Sequence, residues 1–393
     1  MIKSFRMTWL LSYLSIASVS AAIITPALPQ ISLAFDLVSG EVEWVVSFFL
    51  IGYTLGQLIY GPLANRWGRV FALRTGLIIN IVGIMLCIAS ISFHAYWLLL
   101  SGRLLSALGA ASGLSCTFML INEWLPEEQR KTAMAYSILS FTLGIGLAVV
   151  VGGLITAYGE WTYCFAVLLL QGIIMLLGTY AFGETLKHPQ RINVSTIVNG
   201  YKRTLRSETL VIFAIAVGFC TLIGYCFSAA APQIADELLH LSADEYGYWN
   251  LVNVAGMLAG GLWSKRLLMR FTAIQVVVAG LVVCAMAIIS LLLMWKTGAN
   301  SALWFFTSTM GLYLFSSLIF SGASYIASNA LSDKANGSAM MSFINMLTAT
   351  IAVMLMNFLA SNTLLAFVEI LIGAWLLVAG LLAFREIYGK TTH

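Results

Sequence analysis

Residues 272–294 read TAIQVVVAGLVVCAMAIISLLLM, an unbroken run with no charged side chain. Wound as a helix at 1.5 Å per residue, the run crosses a hydrocarbon core about 30 Å thick. Eleven more apolar stretches flank it, near 8–31, 44–64, 72–92, 96–120, 133–157, 162–182, 209–231, 246–264, 302–329, 338–360 and 363–384. The chain is 60% hydrophobic and 9% charged, a balance that suits lipid and not water. Backbone polar groups in lipid must be satisfied internally, which leaves helices or closed barrels. Barrel strands alternate over roughly ten residues, and these runs do not. The fold class expected is all-α, with twelve transmembrane helices.

The basic residues sort by side. Lys3 and Arg6 precede the first span, Arg66, Arg69 and Arg74 follow the second, and Arg130 and Lys131 follow the fourth. Lys187, Arg191, Lys202, Arg203 and Arg206 lie after the sixth span. Lys265, Arg266, Arg270, Lys334, Arg385 and Lys390 complete that face, and Lys296 lies in a loop on the other. The positive-inside bias then makes both termini and the central loop cytoplasmic. The opposite loops carry Asp36, Glu41, Glu43, Glu160, Asp236, Glu237, Asp244 and Glu245. The net charge of +4 follows from this topology, so no nucleic-acid partner is expected. The first apolar run continues through Pro26 into a full span, which reads as an uncleaved signal anchor. All six cysteines fall within spans without a C-x-x-C pair, as packing residues do.

The polar connection 183–208 divides six spans from six, giving bundles 1–182 and 209–393 joined by a cytoplasmic linker. The two halves echo one another. Ala27-Leu28-Pro29-Gln30-Ile31 ends the first span and Ala230-Ala231-Pro232-Gln233-Ile234 the seventh. Each is followed by an acidic loop, a tryptophan (Trp44, Trp249) and a glycine-bearing span, with Gly52, Gly56 and Gly61 matched by Gly256, Gly260 and Gly261. Paired six-helix halves are a transporter architecture, with substrate between them.

The loop Gly61-Pro62-Leu63-Ala64-Asn65-Arg66-Trp67-Gly68-Arg69 resembles the signature between helices two and three of the major facilitator superfamily. Gly56-Gln57-Leu58-Ile59-Tyr60 and Pro26-Ala27-Leu28-Pro29 resemble its bicyclomycin/chloramphenicol-resistance branch of drug:proton antiporters. Arg103-Leu104-Leu105-Ser106-Ala107-Leu108-Gly109-Ala110-Ala111 is similar to the fourth helix of that family. The likeness is close over 20–113 and general beyond it. It implies two pseudo-symmetric six-helix bundles around a cavity, and a gating latch at Gly61, Asn65, Arg66, Gly68 and Arg69. Read without the family, the same arginines simply hold the helices at the phosphate level.

The departures weaken the implied coupling. Asn65 stands where the family usually has Asp, and Ala22 where these antiporters often have an acid. Ala148 and Val149 replace the Gly-Pro of the fifth-helix motif, and Thr162 an Arg.

Arg103 and Glu369 are the ionisable residues that read as lying clearly within spans, and both are coupling candidates. Arg103 either serves coupling or hydrogen-bonds to carbonyls of helix one, while Glu369 snorkels to the outer interface or takes a proton. The other polarity is neutral and follows helical spacing. Ser15, Tyr53, Gln57, Tyr225, Asn250, Asn253, Tyr313, Ser317 and Asn345 are expected to line the cavity; individually, each is equally a helix-packing residue. Such a lining suits an uncharged, zwitterionic or amphiphilic organic molecule: a drug, a metabolite or a siderophore-like compound.

No Walker loop, catalytic constellation, metal-ligand spacing or cofactor motif is present, so no enzyme activity, metal or cofactor is expected. The leading expectation is a secondary transporter working by alternating access as an exporter, an antiporter with protons as partner. An uptake carrier or uniporter is the alternative, and a non-transporting sensor or scaffold a third. A monomer in a bacterial inner membrane is the expected setting.

Overall fold

A computed structural model describes residues 8–38, 40–186, 189, 194–331, 334–359 and 362–388, with side chains undescribed at 122, 127–142, 194, 196–197, 334–336, 338 and 386–388. Lys3, Arg6, Lys187, Arg191 and Lys390 lie outside the described residues, as do the side chains of Arg130, Lys131 and Lys334. The chain is all-helical, twelve long helices without a strand among the described residues. The first six are α1 (Thr8–Ala34), α2 (Trp44–Trp67), α3 (Arg69–Ser92), α4 (Tyr96–Trp124), α5 (Glu127–Tyr158) and α6 (Tyr163–Gly178). The second six are α7 (Glu208–Gln233), α8 (Ala243–Leu268), α9 (Ala273–Thr297), α10 (Ala302–Asn329), α11 (Lys334–Phe358) and α12 (Thr363–Tyr388).

Ten of these are long and apolar enough to cross a membrane, and the described apolar part of α5, Leu143–Tyr158, is shorter. Asn250 and Asn253, both buried, dilute the apolar character of α8. Several helices outrun the apolar stretches that mark them. α2 carries Arg66 in its last turn and α12 carries Arg385, because a helix continues past the hydrocarbon while its hydrogen bonds are met.

Proline and glycine set the breaks. Pro26 and Pro29 cannot donate backbone hydrogen bonds, and α1 is accordingly divided into Ser15–Ala22, a 3-10 turn Thr25–Ala27 and Leu28–Ala34. In the second half the matching Pro232 stays inside α7, which tails into a π-helical turn, Ile234–Leu238. Gly68 separates α2 from α3 at φ 115°, a conformation that glycine alone adopts readily. α9 opens on a capping box between Thr272 and Gln275 and closes on left-handed Gly298.

The repeated glycines are contact points. A Cβ on Gly52 would collide with the carbonyl of Leu104, and one on Gly56 with Ala111 and, at 2.9 Å, the carbonyl of Leu108. In the second half Gly256 faces the Met310 carbonyl at 2.8 Å, and Gly260 faces that of Leu314. Each pair is one turn apart on its helix and meets residues one turn apart on the partner, so α2 on α4 and α8 on α10 share one packing scheme. Gly76 on Gly109 and Gly280 on Phe315 extend it to α3–α4 and α9–α10. In lipid, where apolar burial does not drive helices together, such close backbone approach does.

The helices form two six-helix bundles. By compactness, one unit comprises Met1–Asn193 with Ser242–Tyr248, and the other Val194–Leu241 with Trp249–His393. The 183–208 connection is not plain loop: it contains a short helix, Val194–Thr204. Tyr201 of that helix packs on Leu210, Ala214, Met340 and Ile344, which ties the connection to the second unit.

Candidate functional site

The glycine-arginine loop is built as a set of caps. Glu184, in the segment after α6, accepts from the backbone N–H of Arg69 at 2.8 Å and of Val70 at 3.1 Å, so a carboxylate sits on the positive end of α3. Burial works to raise the Glu184 pKa, but the N–H groups of Arg69, Leu186, Thr185 and Phe71 outweigh it and hold the carboxyl below its ordinary value. Gly68 has no Cβ because that carboxylate occupies the space. The Arg69 guanidinium grips Glu123 of α4 by Nε and Nη2, with a closest approach of 2.7 Å, and donates from Nη1 to the Ala64 carbonyl at 2.8 Å. Thr185 donates to the same Glu123 at 2.5 Å. Arg66 is exposed, Asn65 is half-buried, and a Cβ on Gly61 would meet nothing within 4 Å. Of the five loop residues, only Gly68 and Arg69 enter this network.

Arg103 is 1% exposed. It donates to the Ser20 carbonyl of α1 at 2.9 Å and, more weakly, to the Val45 carbonyl of α2 at 3.4 Å, and its guanidinium lies 4.4 Å from the centre of the Phe49 ring. Phe49 in turn stacks on Tyr53 at 6.3 Å. Glu43 corrects the reading of it as a loop acid: it is 5% exposed, buried directly ahead of α2. A carboxylate next to the start of an apolar run reads as loop, but residues 41–43 form a helical turn that leads straight into α2, and Glu43 is buried there. Glu369 is exposed on the face of α12 opposite buried Phe367 and Leu371.

The remaining polar positions divide by unit. In the first, Ser12, Ser15 and Ser18 each donate to the carbonyl three residues earlier, and Ser15 and Ser18 lie where α5 passes at Gly144. Gln57 keeps a buried Nε2 with no partner among the described residues. In the second, Asn253 donates to Asn250 at 3.2 Å and accepts from Thr309 at 2.9 Å. Around them stands an aromatic group: Trp249 stacked on Phe306 at 5.4 Å, Phe227 on Phe305 at 6.0 Å, and Tyr313 edge-on to Phe227 at 5.8 Å. Ser317 is bound to its own helix at the Tyr313 carbonyl, 2.8 Å, and Tyr225 is half-buried. Asn345 is set apart from them. α11 meets α7 where Gly218 faces Thr348, roughly 10 Å along the axis from Tyr225. Its Oδ1 is buried without a partner among the described residues.

A profile of the Major Facilitator Superfamily matches residues 10–225, more than half of the chain. The chain belongs to the Major Facilitator Superfamily. It is similar to efflux pump radE of Floropilus chiversii, 28% identical over 192 residues, or 48% of this chain and 34% of that one. It is similar to a bicyclomycin resistance protein homolog of Haemophilus influenzae, 21% identical over 251 residues, covering 63% of this chain and 62% of the relative. The chain spans about a third of the length of its fungal relatives. Among solved structures, a D-xylose-proton symporter superposes with a TM-score of 0.77 at 16% identity, over 95% of this chain and 97% of that one.

This superfamily member is therefore a multi-pass membrane protein. Its sequence pointed to the loop but not to Glu123 and Glu184, which lie 54 and 115 residues from Arg69. The one local signal was polarity at the ends of the fourth and sixth apolar runs. Thr309, Phe305 and Phe306 were missed because an aromatic pair beside a threonine reads as ordinary helix core.

Proposed function

We propose that this transporter exports a small, uncharged or zwitterionic organic compound in exchange for protons, by alternating access. The observation that carries this reading is the second unit's polar group. Asn250, Asn253, Thr309 and Tyr313 are all neutral and are framed by Phe227, Trp249, Phe305 and Phe306. Aromatic faces and amides hold a neutral amphiphile well and give a strongly ionic ligand nothing to pair with. The efflux and bicyclomycin-resistance names of relatives support export. In this reading residues 1–182 and 209–393 are the moving bundles, joined by 183–208. The protein sits as a monomer in a bacterial inner membrane with both termini cytoplasmic, and the Arg69–Glu123 grip works as a latch. Everted vesicles energised by a proton gradient and offered labelled chloramphenicol and comparable amphiphiles test it. Accumulation above the unenergised level is expected; none for any compound sinks coupled export.

Uptake or uniport is the second reading, favoured by Ala22 and by Ala148 and Val149 at positions where antiporters differ. Greater accumulation of label by intact expressing cells than by controls would establish it.

A further inference from the structure

We infer that the short helix Val194–Thr204 is a docking site for anionic phospholipid headgroups. One side of it is already occupied. Gly200 and Thr204, one turn apart, are buried, and Tyr201 packs on Leu210 and Ala214 of α7 and on Met340 and Ile344 of α11. Leu210 and Ala214 lie within about 9 Å of the start of α7 along its axis, so the helix sits where an apolar span meets the membrane surface. The winding carries on past Thr204. The Leu205 N–H donates to the Tyr201 carbonyl at 3.1 Å and the Arg206 N–H to that of Arg203 at 3.2 Å. Val198 and Leu205, two turns apart on one side, are 40% and 50% exposed. Lys202 adjoins both at helical spacing, with Arg203 and Arg206 further round, and all three are exposed.

The helix thus runs from a packed face, through an aliphatic seam, to a basic face. That order suits the edge of a bilayer, where aliphatic side chains enter the acyl layer and Lys and Arg stay at the phosphates. None of the three cations forms an ion pair among the described residues, and Glu208, exposed in the first turn of α7, pairs with none of them. Arg69 differs, since its charge is met inside the first unit by Glu123. Arg385 adds a fourth cation to this end of the second unit. Its guanidinium lies 5.0 Å from the centre of the Phe213 ring, one turn of α7 beyond Leu210. A free phosphate would use the cations but leave Val198 and Leu205 in water, whereas a phospholipid engages both. Because Tyr201 fixes the helix to α7 and α11, bound headgroups anchor the second unit at the bilayer surface.

Site-directed quenching tests this on the full chain in phosphatidylcholine vesicles. A fluorophore on Val198→Cys is quenched by a small fraction of spin-labelled phosphatidylglycerol or, in parallel, of spin-labelled phosphatidylcholine. The ratio of the two measures headgroup preference at the helix. It should be about threefold or more in dilute salt and fall toward one in about 1 M salt, where screening acts within ~3 Å. A fluorophore on Met286→Cys, exposed midway along α9, should give a ratio of about one. Replacing Lys202, Arg203 and Arg206 together with Gln should bring the Val198 ratio to about one, and replacing them with Glu should take it below one. Unchanged quenching at Met286 in those variants shows the spans intact. No quenching by either lipid at Val198 means that the helix stands clear of the bilayer and overturns the assignment. A ratio of one before any replacement, or a preference that survives the change to Gln, overturns it equally.

Discussion

Arg103 is a cation with two carbonyl acceptors, a ring beneath it and almost no water, so its removal has a definite cost. Arg103→Ala leaves the carbonyls of Ser20 and Val45 without their donor and opens a space above Phe49. Together these are worth about 3 kcal/mol. Unfolding of the detergent-solubilised protein, followed by tryptophan fluorescence, should show that loss, and Arg103→Lys should recover part of it through one donor. An unchanged midpoint for Arg103→Ala would mean the carbonyl bonds do not hold the three helices together. Arg103 was legible in the sequence because a lone charge in an apolar run is conspicuous. Glu43 was not, because its burial depends on the turn of residues 41–43 that leads into α2, which periodicity does not encode. Glu123 and Glu184 were hidden for a related reason: the cap they build on α3 joins three distant segments.

Glycine spacing is where the elements test their own packing. Gly52→Ala and Gly260→Ala each drive a Cβ into a backbone carbonyl of the facing helix, and backbone cannot step aside as a side chain can. Each should cost about 1–3 kcal/mol. Gly61→Ala and Gly261→Ala meet nothing within 4 Å and should be neutral or gain up to about 1 kcal/mol in helix propensity. Equal costs at all four positions would refute the shared packing scheme. The repeat of these glycines was readable from the sequence, but not which of them touch. The segment after α6 and the start of α3 give the pH prediction. Glu184 is held below its ordinary 4.5 in the folded protein. Its stabilisation is therefore fully present above that value and is lost as the pH falls through the depressed one. The stability difference between wild type and Glu184→Gln should stay constant from pH 7 to about 5 and shrink below about 4.5. A difference that grew on acidification would mean the neutral acid, not the carboxylate, makes the cap.

At the scale of the molecule, topology is the property on which transport direction depends, and the native thiols make it measurable. All six cysteines are free, five of them buried and Cys220 half-buried. A membrane-impermeant maleimide should therefore add well under one label per wild-type chain. Lys296, at the end of α9, and Arg206, just before α7, are both exposed. They lie at opposite ends of the spans, the one with the acidic loops and the other with most of the basic residues. The membrane retains Lys and Arg on its cytoplasmic side, so Lys296→Cys should label in intact cells. Arg206→Cys should label only in everted vesicles or after permeabilisation. The reverse pattern would invert the chain. Labelling of both variants from both sides would mean the charge bias is too weak to fix one orientation. The 16 acidic residues make that test sharp, since they contribute little to orientation while offsetting most of the 20 basic ones in the net charge. A net charge of only +4 thus conceals an asymmetry that the two cysteines would expose directly.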